Sequence, residues 1–252
     1  SKHQVPVIAP VPVSEDIGMD NVFFAYTPEK VTRSRMIDHV LTTMDDQNII
    51  VIADAKNAEA KAELIQAFPE AKVAKVVEER KNVALNLDEF VTLLSKETDN
   101  WVFLETGDPN LVSSVSSILN SHRTKEIRIR MFTTNHGNAF ENDVISNAHL
   151  SNLNFTYPSV YRRSGNDDFV KSYRKRYGME PDKYATWGFD LVYDLLLKLA
   201  YKPNLMEVSS MVGETEYSAS KFSYEKEYAG GYYNQASYLM QYDNLRIKPL
   251  KE

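Results

Sequence analysis

Two short polar stretches hold the side chains best suited to chemistry: Glu105-Thr106-Gly107-Asp108 and Thr133-Thr134-Asn135-His136. Each follows a run that reads as a buried strand, "NWVFLE" and "EIRIRMF". In parallel α/β sheets ligands sit at the carboxyl ends of the strands. A carboxylate such as Glu105 could there hold a ligand ammonium or a sugar hydroxyl, and Asn135 and His136 could hydrogen-bond to either. Thr106, Asp108 and Thr134 share the same loops and are candidates with them. Each has a plainer reading beside it. Asp108 precedes Pro109, so it can cap the helix that follows. His136 precedes Gly137, as an exposed turn residue would.

Other chemistries find less support. The histidines at 3, 39, 122, 136 and 149 show no H-x-x-x-H spacing, and there is no cysteine, so no metal site is expected. No G-x-S-x-G elbow, Walker loop or G-x-G-x-x-G run occurs, and neither cofactor nor enzyme activity is expected. The paired carboxylates Asp45-Asp46 and Asp167-Asp168 are adjacent in sequence, which suits helix starts better than an acid–base pair.

The elements that must position the two loops alternate along the chain. "VPVIA" and "NVFFAY" read as short strands. A helix follows over 28–44, then the β-branched strand "NIIVIAD", a helix over 57–68 and a strand over 71–78. "NLDEFVTLLSK" and "DPNLVSSVSSILNSH" read as helices, and "HLSNLNFTYP" leads out through one more strand. Strands separated by helices call for a parallel sheet with right-handed crossovers. After Pro158 come a helix with Phe169, Tyr173 and Tyr177 on one face, a stretch over 176–200 that reads as a turn, a Pro-led start and an amphipathic helix, a polar segment and a Tyr-rich hairpin turning at Gly230-Gly231. The tail tyrosines suit a partner surface or, more simply, packing on neighbouring helices.

With 252 residues, 43% hydrophobic and 25% charged, the chain has room for one large α/β domain or two lobes. A net charge of −6 excludes a broad nucleic-acid surface. No apolar run reaches the roughly 18 residues of a transmembrane segment.

"FVKSYRKRYGMEPDKYATWGFDLVYDLL" resembles a pattern of the type I periplasmic solute-binding family, that of the branched-chain amino-acid receptors: F-x-x-x-Y-x-x-x-Y-G, then Pro, Tyr-Ala, and Gly-x-Asp opening a helix. "VPVIAPVPVS" is similar to the family's P-x-I-S-P run, and "NVFFAYTPEKVTRSRMIDHVL" to its crossover into lobe two. "NIIVIAD", "NWVFLETGDPN" and "IRMFTTNHGNA" stand where central strands of that lobe belong. The resemblance is nearest to a subgroup that follows LysM repeats in Gram-negative envelope proteins.

The resemblance implies an α/β fold of type I periplasmic-binding-protein kind, with parallel sheets flanked by helices. One complete lobe would span 21–157. A partial lobe one would come from 1–20 and 158–252, with hinge crossovers near 10–20, near 157–163 and just before the terminal hairpin, because the family's opening segment has no counterpart. It implies a non-enzymatic extracytoplasmic domain in a Gram-negative periplasm or envelope. Its ligand would be an amino acid, peptide or cell-wall fragment held between lobes, with Ser14 the polar residue of the P-x-I-S-P loop. Domains outside the chain could reach peptidoglycan. The family's ligand residues are not reproduced at 10–14, 105–108 and 133–136, which leaves a second expectation: a ligand-free fold serving protein interaction or envelope assembly.

Overall fold

The computed structural model describes residues 5–11, 20–79, 82–163, 165, 167–227 and 230–250. Numbered along the chain, the first strands are β1 (Val7–Ala9), β2 (Val22–Phe24), β3 (Asn48–Ala53), β4 (Lys72–Ala74) and β5 (Val76–Glu79). There follow β6 (Asn82–Leu85), β7 (Asn100–Glu105), β8 (Ile129–Phe132), β9 (Thr156–Ser159) and β10 (Thr215–Glu216). The last are β11 (Lys221–Phe222), β12 (Tyr224–Lys226), β13 (Tyr232–Asn234), β14 (Tyr238–Asp243) and β15 (Arg246–Pro249). The helices are α1 (Glu29–Thr43), α2 (Ala58–Ala67), α3 (Leu87–Leu93), α4 (Pro109–His122), α5 (Asn147–Asn152), α6 (Asp168–Tyr177), α7 (Lys183–Tyr201) and α8 (Leu205–Val212). The chain divides into two units: a first from Ser1–Thr32 with Ser159–Tyr238, and a second from Arg33–Pro158 with Leu239–Glu252.

The second unit is built on a seven-stranded sheet in the order β15-β14-β9-β8-β7-β3-β4. Pairings from β4 through β3, β7 and β8 to β9 are parallel, as the strand–helix alternation requires. The strands β3 and β7 carry almost unbroken apolar runs because both faces of the sheet are covered. On one face Ile49, Val51, Trp101 and Phe103 pack with Met36, Val40, Leu64 and Phe68 from α1, α2 and the end of α2. Alternation sends Ile50, Ile52, Val102 and Leu104 to the other face, and all four are buried. α4 buries Leu111, Val112, Val115 and Leu119, starting from an Asp108 cap and Pro109 in its first turn.

Three local expectations change. The run 71–78 is two strands: the chain leaves the main sheet after Ala74, and β5 then folds back on β6 as an antiparallel hairpin. The repeated valines suit either arrangement, so the break at Lys75 left no mark in the pattern. α5 forms ahead of β9, capped by Ser146, whose Oγ accepts the His149 N–H. The supposed polar segment after Tyr201 contains α8, capped by Asn204.

In the first unit a four-stranded sheet runs β1-β2-β13-β12. β1, β2 and β13 are mutually parallel in sequence of pairing, and β12 is antiparallel to β13. Gly230 and Gly231 turn the chain between them, with φ of 100° and 83°. A Cβ on Gly231 would lie 2.8 Å from Cε2 of Phe24, so this position needs glycine for both backbone and space. Phe23 stacks on Tyr232 at 4.5 Å and meets Tyr224 edge-on at 5.3 Å. Leu191 from α7 and Leu205 and Val208 from α8 close the core over them, with Ile8, Trp187 and Leu195 at its margin. Tyr224, Tyr232, Tyr233, Tyr238 and Tyr242 are all buried, so the tail tyrosines pack inward rather than forming an open aromatic surface.

Candidate functional site

The carboxyl ends of β3, β7 and β8 bring Asp54, Glu105-Thr106 and Thr133-Thr134 together in the second unit. Parallel pairing sets Ala53 beside Glu105, and the Asp54 N–H donates to the Glu105 carbonyl at 3.2 Å. Asp54 then organises two turns. Its Oδ1 accepts the Asn57 N–H at 3.1 Å, starting the helical turn Ala55–Asn57, and its Oδ2 accepts the Thr106 hydroxyl at 2.6 Å. The Thr106 Oγ1 in turn accepts the Asp108 N–H at 3.0 Å. Asp108 caps α4, its Oδ1 accepting the Asn110 N–H at 2.8 Å. The plainer reading of Asp108 is therefore the one seen.

Glu105 is 1% exposed. Its carboxylate accepts the Thr134 N–H at 2.7 Å, the Thr134 hydroxyl at 2.9 Å and the Thr133 hydroxyl at 3.4 Å. Burial pushes its pKa up to about 7; the Thr134 bonds, the Arg33 charge and the Thr133 bond only partly oppose this. Arg33, on α1, is itself buried and pairs with Glu63 at 3.0 Å. The carboxylate thus faces its own loop and fixes residues 133–134 to β7.

His136 is not an exposed turn residue. Its side chain is 9% exposed, with the ring stacked on Tyr157 at 3.8 Å and on Phe140 at 5.6 Å. Burial lowers its pKa to about 4, so it is neutral near pH 7. Its Nε2 is buried without a hydrogen-bond partner, while Nδ1 lies 3.9 Å from Glu141. The flanking rings come from β9 and from the turn after Gly137, and nothing next to His136 in sequence announces them.

Around this buried set the loop crests are open. Asn135, Gly107, Gly137 and Asn138 are exposed, and a Cβ on either glycine would meet nothing within 4 Å. The site therefore has a rigid polar base, Asp54, Glu105, Thr106, Thr133 and Thr134, beneath an exposed amide at Asn135 and a neutral imidazole. Such an arrangement can hydrogen-bond a polar solute. Among the described residues no three His, Asp or Glu side chains converge as a metal site. Ser14 lies outside the described residues. Asp54 and Arg33 join the set although the sequence reading passed over them; an Asp at the end of a β-branched run was the available signal. A separate cavity of about 450 Å³ in the same unit lies at the amino ends of β3 and β4, between Leu41, Met44, Phe68, Lys72 and Glu97, and shares none of these residues.

No family model and no curated protein matches the chain. Solved structures do. The chain aligns over 99% of its length with a Rhodospirillum rubrum protein described as a branched-chain amino acid ABC transporter, covering 74% of it, at a TM-score of 0.62 and 12% identity. An ABC transporter substrate-binding protein from Desulfitobacterium hafniense aligns over 98% of this chain and 74% of its own, at 0.55 and 18%. Haemophilus influenzae LpoA aligns over 98% of this chain and 43% of its own, at 0.50 and 11%. The likeness is one of fold: the chain has the parallel α/β architecture of type I periplasmic binding proteins.

Proposed function

We propose that this chain belongs to a non-enzymatic, extracytoplasmic solute-binding protein that takes a small polar ligand, an amino acid, peptide or cell-wall fragment, on the loops at 105–108 and 133–138. The observation that carries this reading is the latch from Glu105 to Thr133 and Thr134, which presents Asn135 from a fixed base. Preorganised polar groups of this kind bind without the entropic cost of ordering a loop. Glu105, Thr106, Asp108, Thr134 and His136 act in this reading by positioning, Thr134 through the N–H it gives to Glu105 and His136 from its buried stack, while the exposed Asn135 supplies the contact. Two lobes, one over 21–157 and a partial one from 1–20 and 158–252, are the division the resemblance suggests, while the compact units put β2 in the first and β14 and β15 in the second. A Gram-negative periplasm or envelope is the compartment that fits, with LysM repeats reaching peptidoglycan from elsewhere in the natural protein.

The test is thermal unfolding against panels of amino acids, short peptides and cell-wall fragments. A ligand present at about 100 times its dissociation constant adds about 2.7 kcal/mol. A domain of this size should then melt several degrees higher. N135A should abolish the shift while leaving the ligand-free melting point in place. Silence across every panel would reject the reading in favour of a second, a protein-interaction module. The observation favouring that alternative is the wide apolar outer face of α7.

A further inference from the structure

The cavity of about 450 Å³ at the amino ends of β3 and β4 lies at the opposite end of the strands from the loops at 105–108 and 133–138. The six residues of β3 separate the two places by about 17 Å. It forms where three helices stop: α1 at Thr43, α2 at Ala67 and α3 at Leu93, each leading back to a strand of the seven-stranded sheet. One wall is fixed from within. Asn100, fully buried, accepts the Ser95 N–H at 2.7 Å and the Asn48 side-chain amide at 2.8 Å, and it donates to the Ser95 and Arg128 carbonyls at 2.9 and 3.1 Å. The Ser95 hydroxyl oxygen accepts the N–H groups of Glu97 and Thr98, both at 3.1 Å. The rest of the lining is apolar, with Ile49 and Phe68 buried and Met44 and Ala71 partly so.

The electrostatics of this cavity have one sign. Asp46, Glu70 and Glu97 line it, all three exposed, and none belongs to an ion pair among the described residues. The helix ends add to them, because the last carbonyls of a helix lack intrahelical partners and carry partial negative charge. α3 shows what such an end takes: the Lys72 ammonium donates to the Leu93 carbonyl at 3.1 Å. α1 and α2 have no basic residue in their last turns. Lys72, already engaged, is the one cation lining the cavity among the described residues. The three carboxylates do not converge as a metal ion would require. They share the cavity with an apolar lining instead, and a volume of this size takes a small organic molecule whole.

We propose that this cavity is a second ligand site, for an organic cation: an ammonium or guanidinium group on a compact apolar body. The body lies against Met44, Ile49 and Phe68, and burial of its surface supplies the attraction. The cationic group is held by Asp46, Glu70 and Glu97 and by the uncapped carbonyl ends of α1 and α2. Anionic solutes are repelled by the same groups. The site stands apart from the solute reading of the loops after β7 and β8, because the two share no residue.

The test is an amide NMR titration of the 252-residue chain with 2-phenylethylammonium, beside its uncharged and anionic counterparts 2-phenylethanol and phenylacetate. The ammonium should move the amide signals of Met44, Ala71 and Thr98, with phenylethanol at least about fivefold weaker and phenylacetate without effect. The triple variant D46N/E70Q/E97Q changes only exposed side chains, so it should fold, and it should weaken the ammonium at least about fivefold while leaving phenylethanol as it was. Raising the salt to about 1 M should weaken the ammonium in the same direction. N135A should leave this titration unchanged, which separates it from the test of the solute reading. Equal binding of phenylethanol, or undiminished binding of the ammonium to the triple variant, overturns the proposal. So do shifts confined to the loops at 105–108 and 133–138, and displacement of the ammonium by calcium chloride, which would make a metal ion the occupant. If a capped Lys-Leu-Lys peptide moves these amides and the free ammonium does not, the occupant is a protein segment and the proposal fails.

Discussion

Asp194 and Glu105 are both buried carboxylates, one in each unit, and they are kept in different ways. Asp194 has a cation one helical turn away, Lys198, whose ammonium also sits 5.0 Å from the centre of the Tyr224 ring. Burial lowers the Lys198 pKa, and the Asp194 charge works against that. Among the described residues no ion pair to Glu105 is formed, and Arg33 acts on it only as a nearby charge. Glu105 is held by one N–H and two hydroxyls of a threonine pair, and it titrates near neutrality. The first carboxylate is a clamp that sets how α7 is rotated. The second is a latch whose strength depends on its proton.

Breaking the clamp should give the largest effect. D194A strands Lys198 in the core and should cost about 3–5 kcal/mol in denaturant unfolding. A combined D194L/K198M variant should cost less than the two single changes added together; strict additivity would mean that the pair is not coupled. Next comes a contrast between helices. Leu119 of α4 is fully buried, and L119A should cost about 2–5 kcal/mol. In the 252-residue chain L196A should stay within about 0.5 kcal/mol. A large loss at Leu196 there would mean that its face is already covered.

In the native chain the pH dependence of the latch is a small effect. Glu105 has its folded pKa raised from 4.5 to about 7, so stability is highest with the carboxyl protonated and declines as pH rises across that window. His136, lowered from 6.5 to about 4, has the opposite sign: its contribution is present above 6.5 and lost as pH falls toward 4. The two trends offset each other in the native chain. E105Q should expose the histidine trend alone, so that stability climbs with pH between about 4 and 6.5 at no more than about 1.4 kcal/mol per pH unit. An unchanged profile would show that Glu105 does not titrate in that range.

The parallel sheet was legible because β3 and β7 are continuous apolar runs, which a strand covered on both faces needs. α8 was legible only in hindsight, since Asn204 and Glu207 stand at cap spacing while its serines disguise the apolar face. The loops after β7 and β8 followed from topology. Their internal wiring did not, because Thr134 reaches Glu105 across two strands and His136 meets Tyr157 from a third. Periodicity carries which face a residue takes, but it does not carry which partner waits there. For the same reason Lys198 could be placed one turn from Asp194 by counting, whereas Thr215 and Tyr217 could not.

The two sheets end differently at their borders. β15, at one border of the seven-stranded sheet, carries Arg246, Lys248 and Pro249, residues that repel or refuse an incoming strand. β1 offers an uncharged Val-Ile-Ala, with Pro6 and Pro10 confining any added pairing to those three residues. In concentrated solution, or while the chain refolds, molecules of the isolated polypeptide should therefore stick through β1 and leave β15 untouched. A net charge of −6 spread over the whole surface is a weak defence against that. Colloidal behaviour would then be governed by a three-residue strand, and a lysine at Val7 would do more for shelf life than any added surface carboxylate.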